Sequence, residues 1–179
     1  MSQWANRSKV TRTLIGINVL VFLAQMASGF AVTDLLALQP AIVFAEPWTV
    51  LTSGFAHADW LHILLNMYSL WIFGEAIEQY LGPKRFVWIY LASIVGGSIA
   101  FIIFDPLGVA VGASGGIFGL MGAYFVIIRA LGYRSSQMLT LIGINVIMGF
   151  VSPGIAVSAH IGGLVAGAAI AWYFTQGKR

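Results

Sequence analysis

Apolar residues dominate six stretches of the chain, and polar or charged residues separate these stretches. The six runs span approximately 13–30, 62–80, 86–104, 115–131, 138–151 and 157–175. A membrane-spanning helix needs about 20 predominantly apolar residues, so 179 residues have room for six or seven crossings. The pattern predicts an all-α integral membrane protein, in which six transmembrane helices form one compact domain over residues 1–179.

The composition excludes several other classes of protein. Hydrophobic residues make up 59% of the chain and charged residues 8%, whereas charged residues are about 25% of a typical soluble protein. The absence of cysteine removes a thiol nucleophile, a thiolate metal site and a disulfide framework. The basic residues are too few and too scattered to bind nucleic acid. We therefore expect the protein to lie in the lipid bilayer and to have no nucleic-acid partner.

The positions of the basic residues predict the orientation of the bundle. Six spans put both termini on one side of the membrane, and every Lys and Arg then falls on that side: Arg7, Lys9, Arg12, Lys84, Arg85, Arg129, Arg134, Lys178 and Arg179. Lys and Arg collect in cytoplasmic loops. Both termini are therefore predicted to be cytoplasmic, as in a multi-pass protein of the bacterial inner membrane.

A competing interpretation treats the first apolar run as a cleaved signal peptide. Arg7, Lys9 and Arg12 resemble its basic start, and small residues occur near Ala27 and Ser28. Cleavage would leave five spans and an outer amino terminus. The sequence alone leaves this alternative open.

The longest connection, residues 31–56, is apolar although it contains Asp34 and Glu46. We expect this loop to lie in the membrane interface, with Trp48 at the level of the lipid headgroups. The remaining connections are short, so helices adjacent in sequence are expected to pack as antiparallel neighbours.

A serine and a histidine begin two of the predicted spans. Ser114 stands in Gly112-Ala113-Ser114-Gly115 at the start of the fourth, and His160 stands near the start of the sixth. GxxxG stripes follow them and let two helix backbones approach closely; the stripes are Gly115–Gly119 and Gly163–Gly167. A serine nucleophile and a histidine base form the smallest set of side chains that can catalyse acyl transfer. We expect Ser114 to be the nucleophile and His160 the general base and acid.

The second span adds further polar groups at a similar depth. On straight helices, the distances to the expected cytoplasmic boundary are about 22 Å for Ser114 and His160 and about 24 Å for His62, which places these groups near the outer face. Asn66 lies one turn after His62 on the same helix face. We expect His62, Asn66 and the Ser114 backbone N–H to stabilise an oxyanion, with His57 in a supporting role.

These residues together resemble the rhomboid family of intramembrane serine proteases over nearly the whole chain. The matching features are His57, His62 and Asn66 in the second span, Gly112-Ala113-Ser114-Gly115, His160 followed by Gly163 and Gly167, and Glu78 before Leu81-Gly82. The resemblance implies a six-helix core and a Ser-His dyad without a catalytic aspartate. It also implies that the substrates are single-span or multi-span membrane proteins. The depth of Ser114 predicts cleavage near the outer membrane face, and we expect no metal or cofactor.

Two positions depart from the family's usual pattern. Trp48 is followed by Thr49, where relatives commonly have arginine, which leaves the anchoring of the first loop open. Phe118 stands where relatives often have tyrosine. Phenylalanine can stack on the His160 ring but cannot donate a hydrogen bond.

Other functions fit the sequence less well. A metalloprotease of the HExxH type is excluded because the motif is absent, and the predicted spans lack the two aspartates of an aspartyl intramembrane protease. A small transporter would be expected to have broken helices in paired halves, which the pattern lacks. The transporter and a non-catalytic protein that binds membrane helices remain the alternatives, which serine and histidine variants would separate from a protease.

Overall fold

The structure, a computed structural model, describes residues 8–152 and 154–176. Arg7, Lys178 and Arg179, which entered the prediction of orientation, lie outside the described residues. Eight α-helices form within the described part: α1 (Lys9–Ala27), α2 (Ala31–Leu36), α3 (Thr49–Thr52), α4 (Trp60–Leu81), α5 (Pro83–Phe104), α6 (Ser114–Ala130), α7 (Ser136–Val151) and α8 (Val157–Gln176).

The all-helical membrane bundle predicted from the sequence is confirmed. Each of the six longer helices overlaps one of the six apolar runs. Of the described helices, α1, α5 and α8 are long and apolar enough to cross a membrane, and α6 and α7 are shorter apolar helices. The number of spans and the side on which the termini lie stay predictions.

The first helix begins and ends earlier than its apolar run predicts. Its start is stabilised by Glu78 of α4, whose carboxylate accepts hydrogen bonds from the backbone N–H groups of Val10 (3.0 Å) and Thr11 (2.8 Å). These amides have no carbonyl partner within their own helix. The helix ends before Gly29 and Phe30, which both have left-handed backbone conformations.

The boundaries of α4 follow from its capping residues. Asp59 precedes the helix, and its carboxylate accepts a hydrogen bond from the His62 N–H at 2.8 Å, a standard N-cap. Gly82, with a φ of 86°, ends the helix, and Pro83 begins α5 at the position where proline is favoured.

The connection predicted as a loop over residues 31–56 is partly helical, because it contains α2 and α3. Thr49, the residue after Trp48, is buried and donates its hydroxyl to the Glu46 carbonyl at 2.6 Å. The connection is anchored elsewhere: Ser98 of α5 donates to the Val50 carbonyl at 2.7 Å. Leu38 and Ala110 exchange two backbone hydrogen bonds of 2.9 Å, which join the connection to the segment before α6.

Helix α8 packs mainly against α5 and α6, whereas α7 makes few contacts with its sequence neighbours. Helix α7 contacts its sequence neighbours α6 and α8, as expected, but the much closer packing of α8 on α5 and α6 was not predicted from the short connections. Glycines explain the close packing of α8, since a Cβ added at Gly163 would lie 2.0 Å from the Gly115 carbonyl oxygen. A Cβ added at Gly143, in the middle of α7, would meet nothing within 4 Å.

The glycines of α8 are closely packed and Gly143 of α7 is not. Replacement of glycine by alanine is therefore expected to lower the unfolding free energy in α8 and to raise it in α7. Gly167→Ala would place a Cβ 2.1 Å from the Gly119 carbonyl oxygen, so we expect a loss of about 1–3 kcal/mol in unfolding free energy. Gly143→Ala is the control, because alanine is the better helix former there. The measurement is the unfolding free energy of both variants in detergent. An equal or greater loss in Gly143→Ala would contradict the proposed packing of α8.

Candidate active site

Ser114 is the first residue of α6 and lies directly after a tight turn. Gly112 in this turn has a φ of 128°, a conformation that side chains rarely adopt, and its N–H donates to the Ser53 carbonyl at 2.9 Å. The first N–H groups of a helix have no carbonyl partner within that helix. The turn thus places the Ser114 hydroxyl beside backbone N–H groups that are available to an anion.

His160 of α8 faces Ser114 across the contact between α8 and α6. Its Nε2 lies 2.9 Å from the Ser114 Oγ, within hydrogen-bonding distance. The imidazole is buried and stacks on the Phe118 ring of α6, with 4.2 Å between ring centroids and 12° between ring planes. The structure therefore brings these three residues together, and Phe118 stacks as its aromatic side chain predicts.

The second nitrogen of His160 has no orienting acid. Its Nδ1 is buried and has no hydrogen-bond partner within residues 8–152 and 154–176. A Cβ added at Gly149 of α7 would lie 3.9 Å from this nitrogen, so the end of α7 closes this side of the ring. Stacking and packing therefore hold the imidazole, whereas a carboxylate does so in a catalytic triad.

His62 of α4 lies over Gly112, next to Ser114. A Cβ added at Gly112 would lie 2.7 Å from the His62 Nε2 and 3.7 Å from the Ser114 Oγ. The His62 Nδ1 accepts a long hydrogen bond, 3.4 Å, from the Ala58 N–H. A neutral imidazole that accepts at Nδ1 carries its proton on Nε2. The ring can therefore donate a hydrogen bond from Nε2 toward the region beside Ser114.

Asn66 is buried one turn below His62. Its Nδ2 donates a hydrogen bond to the His62 backbone carbonyl at 2.9 Å. An amide nitrogen carries two hydrogens, so one donor is left for a substrate. The structure places Asn66 on the same helix as His62, as the spacing predicts.

His57 is fully buried just before α4 and packs edge-to-face against His62, with 5.1 Å between ring centroids. Burial, and secondarily the neighbouring His62, lower the pKa of His57 to about 4. The ring is therefore neutral at physiological pH and contacts His62 without adding a charge to the site.

Gln25 of α1 was not among the predicted site residues; it is fully buried and forms hydrogen bonds with the backbone of His57. Its polarity within an apolar run was the available signal. No group of three or more His, Cys, Asp or Glu side chains that could hold a metal ion occurs in the described part of the chain.

Comparison with known proteins identifies the family. Residues 45–177, well over half of the chain, match the family model described as the Rhomboid domain. The chain belongs to the rhomboid family. The matched segment contains every predicted site residue and begins after α1 and α2.

Curated relatives among the rhomboids have similar sequences. The chain is 36% identical to the putative rhomboid protease YdcA of Bacillus subtilis over 74% of this chain and 70% of that protein. It is 35% identical to the rhomboid protease GluP of the same organism, over 88% of this chain but only 33% of GluP. RHOMBOID-like protein 6, mitochondrial, of Arabidopsis thaliana is 38% identical over 68% of this chain and 42% of that protein. These similarities support an integral membrane protein with an intramembrane protease function.

The position of His62 over Gly112 predicts a selective effect of substitution at this glycine. Gly112→Ala would push a Cβ against the His62 ring, so we expect proteolysis to slow by at least about tenfold, since one oxyanion donor is typically worth about 10²–10³ in rate. Gly132→Ala is the matched control, because Gly132 also has a positive φ but an added Cβ would meet nothing within 4 Å. The measurement is the initial rate at which each variant cleaves a single-span substrate. Equal losses of rate would show that backbone strain, and not the His62 contact, is responsible.

Proposed function

We propose that this rhomboid is an intramembrane serine endopeptidase that hydrolyses peptide bonds of membrane proteins near the outer membrane face. Ser114 is the nucleophile and His160 is the general base and acid. The observation that carries the proposal is the distance of 2.9 Å between the Ser114 Oγ and the His160 Nε2. A serine hydroxyl paired with an imidazole beside a helix start is the arrangement that acyl transfer requires, which supports a protease over a transporter or a non-catalytic binding protein.

The first half of the reaction forms an acyl-enzyme. The Ser114 Oγ attacks the carbonyl carbon of the substrate while its proton moves to the His160 Nε2. The negative charge that develops on the carbonyl oxygen is stabilised by the Ser114 N–H, the His62 Nε2–H and the free Asn66 N–H. His160 then gives its proton to the leaving amine nitrogen, and the C–N bond breaks.

The second half of the reaction releases the acyl group. His160 accepts a proton from a water molecule, whose oxygen attacks the acyl carbon, and the same oxyanion donors stabilise the second intermediate. The proton returns to the Ser114 Oγ as the ester bond breaks. No carboxylate takes part, so the Phe118 stack and the cover of α7 over Nδ1 keep the His160 ring in place.

The proposed site determines which part of a substrate is cleaved. With both termini in the cytoplasm, the amino-terminal end of α6 lies toward the outer face, and the scissile bond must reach that level. An intact membrane helix satisfies its carbonyls by internal hydrogen bonds. Substrates are therefore membrane-spanning helices that unwind readily near their outer ends. The proposed location of the protein itself is the bacterial inner membrane.

We expect Ser114→Ala and His160→Ala each to reduce cleavage of a single-span substrate to background, because each variant removes one member of the dyad. Ser93→Ala is the control. Its hydroxyl is buried and donates to the Ile89 carbonyl of its own helix at 2.6 Å, so we expect the wild-type rate. The measurement is cleavage by purified protein in lipid bilayers, with folding checked by thermal unfolding.

Retained cleavage in pure, folded Ser114→Ala or His160→Ala would overturn the proposed dyad. Loss of activity in Ser93→Ala alone would have the same consequence, because it would place the reactive hydroxyl on α5.

A further inference from the structure

Gln25 is buried on α1 and forms three hydrogen bonds with groups outside its own helix. Its Nε2 donates to the His57 carbonyl at 3.1 Å and to the Thr33 hydroxyl at 2.7 Å, and its Oε1 accepts from the His57 N–H at 3.0 Å. The carboxamide thus pairs with both backbone groups of His57. Gln25 precedes the segment that matches the Rhomboid family model.

His57 and Ala58, which lie in the segment that Gln25 binds, both contact the His62 ring. His57 packs edge-to-face against this ring, and the Ala58 N–H donates to its Nδ1. Both ring nitrogens of His57 are buried; the Phe55 backbone is the polar group that acts on the ring, and the ring has no well-formed hydrogen bond in the described part of the chain. Packing and the backbone therefore hold His57, and Gln25 holds that backbone.

We propose that Gln25 is a positioning residue that fixes His57 and Ala58 and thereby keeps the His62 Nε2–H directed at the oxyanion. The inference rests on the proposed function, since it assigns Gln25 to the same reaction. A donor that engages only the charge of the transition state changes kcat and leaves KM unaltered. A role confined to docking α1 would lower the stability of the protein without this effect on kcat.

Gln25→Met removes the hydrogen bonds and keeps a side chain of similar length. We expect kcat to fall by about tenfold, less than the 10²–10³ typical when an oxyanion donor is deleted, with KM unchanged. Asn18→Leu is the matched control on α1. Asn18 is equally buried, its Nδ2 donates to the Leu14 carbonyl of its own helix at 2.8 Å, and its side chain also faces the Tyr90 hydroxyl of α5. This control should keep the wild-type kcat even if its unfolding temperature falls.

A double-mutant cycle tests whether Gln25 acts through His62. In a His62→Ala background, Gln25→Met should lower kcat no further, because the donor that it positions is already missing. An independent structural effect would lower kcat by the same factor in both backgrounds. Equal factors would therefore overturn the inference.

A second variant keeps the test decisive if Gln25→Met does not fold. Thr33→Val removes only the hydroxyl that accepts from the Gln25 Nε2, and we expect kcat to fall by about twofold to threefold, within the range for one modest hydrogen bond. An unchanged kcat in folded Gln25→Met or, where that variant is unfolded, in Thr33→Val overturns the inference.

Ser114→Ala in the same assay separates this result from the proposed function. Cleavage by Ser114→Ala would overturn both. An inactive Ser114→Ala with wild-type kcat in folded Gln25→Met would overturn the positioning role alone.

Discussion

The backbone of α8 lies directly against the backbone of α6, and the position of His160 relative to Ser114 depends on this contact. At Gly163 and Gly167, an added Cβ would lie 2.0 Å and 2.1 Å from carbonyl oxygens of α6. Lipid tails are as apolar as leucine, so membrane helices associate through close packing and polar contacts instead of hydrophobic burial. The same contact that holds the two helices together therefore brings the hydroxyl and the imidazole to 2.9 Å.

Polar groups buried between helices complete the scaffold around this contact. Near its start, α1 is held by the Glu78 carboxylate, which accepts hydrogen bonds from the Thr11 N–H and hydroxyl at 2.8 Å and 2.7 Å. Near its end, α1 is held by the pairing of Gln25 with His57. Such groups are costly in an apolar environment unless they find partners. α1 is thus attached to α4 near one end and to the segment before α4 near the other.

Much of this arrangement follows from the sequence because its causes are local. Apolar runs predicted the long helices, and the spacing of His62 and Asn66 placed them one turn apart on α4. The weak packing of α7 was not predictable from short connections, since packing depends on which helices carry glycines opposite a backbone. The pairing of Gln25 with His57 was missed because a buried amide shows its partner only in three dimensions.

Covalent labelling of Ser114 by a fluorophosphonate, followed by intact mass, tests most directly whether the contact between α8 and α6 creates a reactive serine. Wild-type protein and Gly143→Ala should be labelled at Ser114 at similar rates. Folded Gly163→Ala should be labelled at least about tenfold more slowly, because a misplacement of about 1 Å can cost 10²-fold in rate. Equal labelling rates in the folded variants, or labelling at another residue, would contradict the account.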